Sequence, residues 1–282
     1  MTIALGIVTP FGTILASDSQ EGTGYAGDMK LSTSKITAHS HAYVDQLSGE
    51  PMVRSCAITG AGDSGYLNAI KQKITDTFDQ DPQISIEGFS IYLENQLIDF
   101  YEKHICPFPA NQWGHQLDIQ LIVAAQIQQD RRMWVTHMNS VRTEKSYVAV
   151  GSGESWARSA LKGFLPFVTD EHATTIIAAY ATFVAKEFAE GCGKQTQMIL
   201  LPVSGGLKFP LDDAIDALEA HFSRYNEAER IERLRAMGQD VREPTKFAEF
   251  LETMRSDLAK MQLYPGLPPW AGPKADGSSQ PA

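Results

Sequence analysis

Met1-Thr2-Ile3-Ala4-Leu5-Gly6-Ile7-Val8-Thr9-Pro10-Phe11-Gly12-Thr13-Ile14-Leu15-Ala16-Ser17-Asp18-Ser19-Gln20 is the stretch on which the reading of this chain turns. Residues 3–8 and 13–16 are β-type runs, and Thr9-Pro10-Phe11-Gly12 between them carries the Pro and Gly of a hairpin turn. A threonine stands directly after Met1, and an aspartate follows the second run. If Met1 is removed, Thr2 opens a strand with its hydroxyl and its α-amine on neighbouring carbons. A free α-amine has a pKa of about 8 and accepts a proton at neutral pH. Nucleophile and base are then joined covalently. Taken alone, the same residues describe an ordinary first strand.

The 282 residues suffice for one large domain with an appendage, or for two domains. An apolar content of 43% supports a sizeable core, and a net charge of -10 makes nucleic acid a poor partner. No basic cluster or membrane-length apolar run points to a lipid surface. Cys56, Cys106 and Cys192 have neither metal-ligand spacing nor an even number. No basic, then long apolar, leader opens the chain. A reducing, cytoplasmic compartment is therefore expected. His39 and His41 are the only close histidine pair, in a polar stretch read as a solvated loop, and no metal is expected there.

Working outward from the hairpin, residues 19–27 read as a polar loop, 28–37 as β-type and 39–50 as a hydrophilic insert. Residues 53–58 form a strand ending in Thr59-Gly60-Ala61-Gly62-Asp63-Ser64-Gly65. Leu67, Ile70, Ile74 and Phe78 then recur at helical spacing up to Asp81-Pro82, and Phe89, Leu93, Leu97 and Tyr101 mark a second helix. Strands follow at 119–125, 132–137 and 147–150, helices at 156–165 and around Ile177, Tyr180, Val184 and Phe188, and a last strand at 198–203. Several strands are apolar on both faces, so both sides of the sheet must be covered. The order predicts an α/β (α+β) fold of four layers, two sheets between two helix layers. Residues 2–208 are assigned to this domain, 209–264 to a helical C-terminal appendage, and 265–282 to a Pro-, Gly- and Ser-rich disordered tail.

Five marks fall in one order along residues 2–203. They are Thr2, Asp18 in Leu-Ala-Ser-Asp-Ser-Gln, Lys35 directly before Ile36, Gly60 in Thr-Gly-Ala-Gly-Asp-Ser, and Ser152 in Val-Gly-Ser-Gly-Glu-Ser-Trp-Ala. Together with the element order they resemble the proteasome β-subunit family of N-terminal-nucleophile (Ntn) hydrolases. That family includes a simple bacterial peptidase working with an unfoldase ATPase, and bacterial ancestral-type homologues. Its αββα sandwich agrees with the four layers.

The resemblance implies roles. Thr2, exposed by a methionine aminopeptidase, would be the nucleophile and its amine the proton acceptor. Lys35 would supply the positive charge that favours the free amine and the developing alkoxide, with Lys30 as rival, and Asp18 would orient it. Gly60 would offer its N–H to the oxyanion, and Ser152 would hold the threonine amine. Glu187 takes the place of an aspartate that the family sets near the end of the long helix. Ile58, Glu21 and Thr33 would line the first specificity pocket, with Ile58 suggesting a medium apolar preference. The implied function is a cofactor-free threonine endopeptidase acting on peptides or unfolded proteins. It would be self-compartmentalised as a homo-oligomeric ring, and the resemblance leaves open whether an unfoldase ATPase is a partner. Two alternatives stay open: a catalytically silent ring subunit, and an Ntn amidase acting on small amides.

Overall fold

The opening hairpin forms at the centre of a sheet. β1 (Ile3–Thr9) and β2 (Gly12–Asp18) pair antiparallel, and nearly every residue of both is buried. Thr9 closes the turn, its hydroxyl donating to the Gly12 carbonyl at 3.0 Å and accepting from the Phe11 and Gly12 N–H groups. The hairpin is central because β10 (Tyr147–Gly151) pairs with β1 and β11 (Thr196–Pro202) with β2, giving the order β10-β1-β2-β11.

The computed structural model describes residues 2–22, 30–44, 51–81, 84–107, 119–237 and 247–266. Within them lie a second antiparallel sheet and a small ribbon. The ribbon joins β3 (Gln20–Gly22) to β4 (Lys30–Ser32). The second sheet runs β5 (Thr37–Val44), β6 (Pro51–Gly62), β7 (Ile119–Ile127), β8 (Asp130–His137) and β9 (Ser140–Glu144) in spatial order. Ala4, Leu15, Ala57, Ile122, Ala124, Met133 and Val150 fill the space between the sheets. Small residues at several of these positions let the two backbones approach.

Helices cover both outer faces. α1 (Ser64–Gln80) and α2 (Ile86–His104) lay Ile70, Ile74, Phe78, Phe89, Leu93 and Leu97 on Ile58, Val123 and Trp134 of the five-stranded sheet. Phe89 meets Phe78 and Trp134 edge-on, with ring centroids 5.3 and 5.7 Å apart. α3 (Glu154–Phe164) and α4 (Glu171–Phe188) pack on the other sheet. The result is the expected αββα sandwich.

Three expectations change. The polar loop at 19–27 contains β3 in its described part, and residues 23–27 lie outside the described residues. The hydrophilic insert is strand β5 as far as Val44, because it sits at a sheet edge where one face meets water. Its remainder, 45–50, is outside the described residues. β9, with the polar sequence Ser140-Val141-Arg142-Thr143-Glu144, has no counterpart in the sequence reading.

The chain divides into two compact units after Phe209. The second contains α5 (Asp212–Ala236) and α6 (Phe247–Lys260). The Leu211 N–H donates to the Leu263 carbonyl at 2.9 Å. Of the expected tail, residues 267–282 lie outside the described residues. Among the described residues no helix is long and apolar enough to cross a membrane.

Candidate active site

β1 and β2 bring the first pair of functional groups together. Ala4 faces Ser17, so the next step of the register sets Ile3 opposite Asp18, with Thr2 just beyond at the open end of the hairpin. The Thr2 hydroxyl donates to Asp18 Oδ1 at 2.5 Å, and the Ile3 N–H donates to the same oxygen at 3.0 Å. The Asp18 side chain is fully buried. A buried carboxylate needs donors. Asp18 has them: Lys35 Nζ lies 2.9 Å from Oδ1, and the Gly193 N–H donates to Oδ2 at 3.0 Å.

Lys35 reaches this point from the segment between β4 and β5. Gln197 of β11 fixes that segment from both sides, accepting from the Lys35 N–H at 2.8 Å and donating to the Thr33 carbonyl at 3.1 Å. The Lys35 ammonium donates to Thr2 Oγ1, Asp18 Oδ1 and the Gln20 carbonyl. Thr2 Oγ1 thus lies between a cation and a carboxylate. Lys30, the rival lysine, opens β4, and its side chain is outside the described residues.

The carbonyl of Thr2 is gripped from the end of β10. Ser152 Oγ donates to it at 3.2 Å and the Gly153 N–H at 3.4 Å. Gly151 makes the approach possible. Its φ is +97°, and a Cβ there would lie 2.3 Å from the Thr2 oxygen. Ser152 also stands 3.5 Å from Cys192 Sγ. Burial pushes the Cys192 thiol above its ordinary pKa, so it is protonated at neutral pH.

A cleft opens in front of Thr2 and Lys35. Gln20, Glu21, Thr33 and Ser34 line one side, and Gly60, Gly62, Asp63, Ser64, Leu67, Asn68 and Lys71 the other. Gly60 lies within β6, where a Cβ would be 2.3 Å from the Gln120 carbonyl oxygen. Gly62, with φ +131°, turns the strand into α1, and Asp63 caps the helix by accepting from the Gly65 and Tyr66 N–H groups. The Thr-Gly-Ala-Gly-Asp-Ser run therefore places strand end and helix start on the cleft wall.

Lys71 is the residue that the sequence reading missed. It is only 4% exposed, lines the cleft and donates to the Lys35 carbonyl at 3.2 Å. Burial, reinforced by the Lys35 charge, lowers its pKa, and Glu21 acts in the opposite direction. Its signal was its place four residues after Leu67, on the buried stripe of α1.

Two expected site residues stand elsewhere. Glu187 is exposed in the last turn of α4, and no hydrogen bond joins it to Thr2 or Ser152. Cys192 is the side chain beside Ser152 instead, because α4 has ended and the chain has turned back before reaching it. Ile58 is fully buried under α1 and α2 and does not line the cleft, so it provides no apolar specificity wall. It sits two residues before Gly60 on β6, on the face turned to the helices. Glu21 and Thr33 do line the cleft.

No protein-family model matches the sequence. No curated protein matches it either. Solved structures do. "Anbu (Gly-1) mutant from Hyphomicrobium sp. strain MC1" superposes with a TM-score of 0.63 at 10% identity, over 87% of this chain and all of that one. "Anbu (ancestral beta-subunit) from Yersinia bercovieri" gives 0.60 at 13%, over 86% and 100%. HslV from Trypanosoma brucei gives 0.51 at 16%, over 71% of this chain and 99% of its own. The chain shares the αββα fold of these Anbu and HslV structures. At these identities the likeness concerns the fold, and chemistry must be argued from the residues.

Proposed function

We propose that the chain is a threonine-type Ntn hydrolase acting on peptide bonds, with Thr2 as nucleophile once Met1 is removed. The observation that carries this reading is the position of Thr2 Oγ1 between Lys35 Nζ and Asp18 Oδ1. A structural ion pair has no need of a hydroxyl at its centre, at the mouth of a cleft.

The steps follow from the groups present. The freed α-amine of Thr2 takes the hydroxyl proton as Oγ1 attacks the carbonyl carbon. Lys35 stabilises the developing alkoxide, and Asp18, buried and saturated with donors, keeps the lysine aimed. The Gly60 N–H serves the tetrahedral oxyanion. Ser152 and the Gly153 N–H fix the Thr2 carbonyl, and thereby the direction of the amine. The amine then protonates the leaving nitrogen, leaving an ester on Thr2, which a water activated by the same amine hydrolyses. The residues named complete this cycle without a metal or organic cofactor.

A structure titled "Helical Assembly of the Anbu Complex from Pseudomonas aeruginosa" shares the fold at a TM-score of 0.62. Homo-oligomeric assembly is accordingly part of the proposal, with self-compartmentalisation limiting access to unfolded chains and an unfoldase ATPase as the class of partner that would supply them. The test is digestion of an unfolded, labelled protein by the purified full chain, with products read by mass. Peptide products that vanish in Thr2→Ala support the reading. Intact protein alongside turnover of small amides would replace it by the amidase, and no turnover of either by the silent subunit.

A further inference from the structure

A second cluster of chemistry-bearing side chains lies away from the cleft. His39 and His41 are two apart on β5, so they project from the same face of the strand. Asp79 comes from the last turn of α1. His39 Nδ1 is 3.0 Å from Asp79 Oδ2, and His41 Nε2 is 2.7 Å from Asp79 Oδ1. One ligand atom from each residue lies within 4.8 Å of the others, and the three side chains are 30–44% exposed.

We propose that His39, His41 and Asp79 form a binding site for a divalent transition-metal ion of the zinc class, clipping β5 to the end of α1. The donor set of two imidazole nitrogens and one carboxylate oxygen suits zinc, and three protein ligands leave a fourth, solvent-facing position. A tetrahedral ion with bonds of about 2.0–2.1 Å separates its ligand atoms by roughly 3.3 Å. The two imidazole–carboxylate pairs, at 3.0 and 2.7 Å, need open by only a few tenths of an ångström to reach that separation.

The frame for the ligands is fixed. Arg54 of β6, opposite His41 in register, donates to the Asp79 carbonyl at 3.1 Å and to the Asp81 carbonyl, which anchors the helix end to the sheet. Its guanidinium is turned to those carbonyls and over the Phe78 ring. Cys56 is the register partner of His39, but the group of ligand atoms within 4.8 Å of one another comprises His39, His41 and Asp79. Lys71, the cleft-lining residue of α1 nearest Asp79, is eight residues from it, about 12 Å at 1.5 Å per residue. The site is therefore separate from the candidate active site and does not depend on the hydrolase reading.

The experiment is calorimetric titration of the EDTA-dialysed full chain with Zn²⁺ at pH 7.5, with thermal melting of the same samples. One equivalent is expected to bind in the micromolar range or tighter and to raise the melting temperature. His39→Ala/His41→Ala is expected to weaken binding by about tenfold or more and to abolish the shift. His39→Gln and His41→Ala singly are expected to fall between, which keeps the test open if the double variant folds poorly. Absence of a saturable single equivalent, or binding unchanged in the histidine variants, overturns the proposal.

Discussion

Lys35 and Asp18 are joined at 2.9 Å through Nζ and Oδ1, and both hydrogen-bond to the Thr2 hydroxyl. The pair is asymmetric. Asp18 is fully buried and belongs to the sheet, whereas Lys35 stands on a connecting segment and keeps 14% of its side chain exposed. The aspartate is the fixed element and the lysine the group it positions.

Lys35→Ala is expected to lower turnover by about 10²–10³-fold, the scale of losing one electrostatic stabiliser of a developing oxyanion. Lys35→Arg should not restore it, because a planar fork cannot place one proton on each of three converging oxygens. Far-UV circular dichroism should match the wild type for both. Full activity in either variant would remove the lysine from the mechanism.

Asp18→Asn keeps the shape but leaves the Lys35 ammonium without its counter-charge and presents an amide NH₂ to donors at one position. Uncoupling a buried pair in this way costs about 3–5 kcal/mol. Urea denaturation should show the midpoint falling with an unchanged slope, and activity should be lost in the residual folded fraction.

Gly151→Ala tests how the Thr2 carbonyl is held. The new Cβ meets the Thr2 oxygen at 2.3 Å in a backbone conformation with φ +97°. Strain of about 1–3 kcal/mol is expected. Turnover should fall more than stability does, because the displaced group carries the nucleophile. Equal activity in the folded variant would show that this contact does not position Thr2.

Lys71→Met bears on pH dependence. The folded pKa of Lys71 is lowered by burial from its ordinary 10.5, so above that folded value the unfolded chain binds more protons. The cost of burying the charge is present in full below the folded pKa and fades as pH rises toward 10.5. The stability difference between Lys71→Met and wild type should therefore shift in favour of the wild type as pH is raised from 7 to 10. A constant difference across that range would contradict the assignment. The variant also removes a cation from the cleft wall, so cleavage after acidic side chains should fall relative to apolar ones.

The elements legible in the sequence were those with a strong period. The hairpin, α1 and α2 follow from Pro-Gly turn chemistry and from apolar residues three and four apart. β5 and β9 were not legible, since edge strands such as His39-Ser40-His41 and Arg142-Thr143-Glu144 keep polar residues facing water. Thr2, Asp18, Lys35, Gly60 and Ser152 were singled out because local motifs marked them. Gln197, Gly151 and Gly193 were not, because their contacts to the site form only when β10, β11 and the turn after α4 come together. Ile58 and Glu187 came from the resemblance alone; the packing of α1 and α2 covers Ile58, and Glu187 is exposed in the last turn of α4.

The most direct test is the intact mass and N-terminal sequence of the purified chain after exposure to a peptide epoxyketone, which needs a hydroxyl and a neighbouring free amine to close its ring. The account predicts a chain beginning at Thr2 that carries one adduct, absent in Thr2→Ala. A chain that begins at Thr2, folds, and takes up no adduct would contradict it.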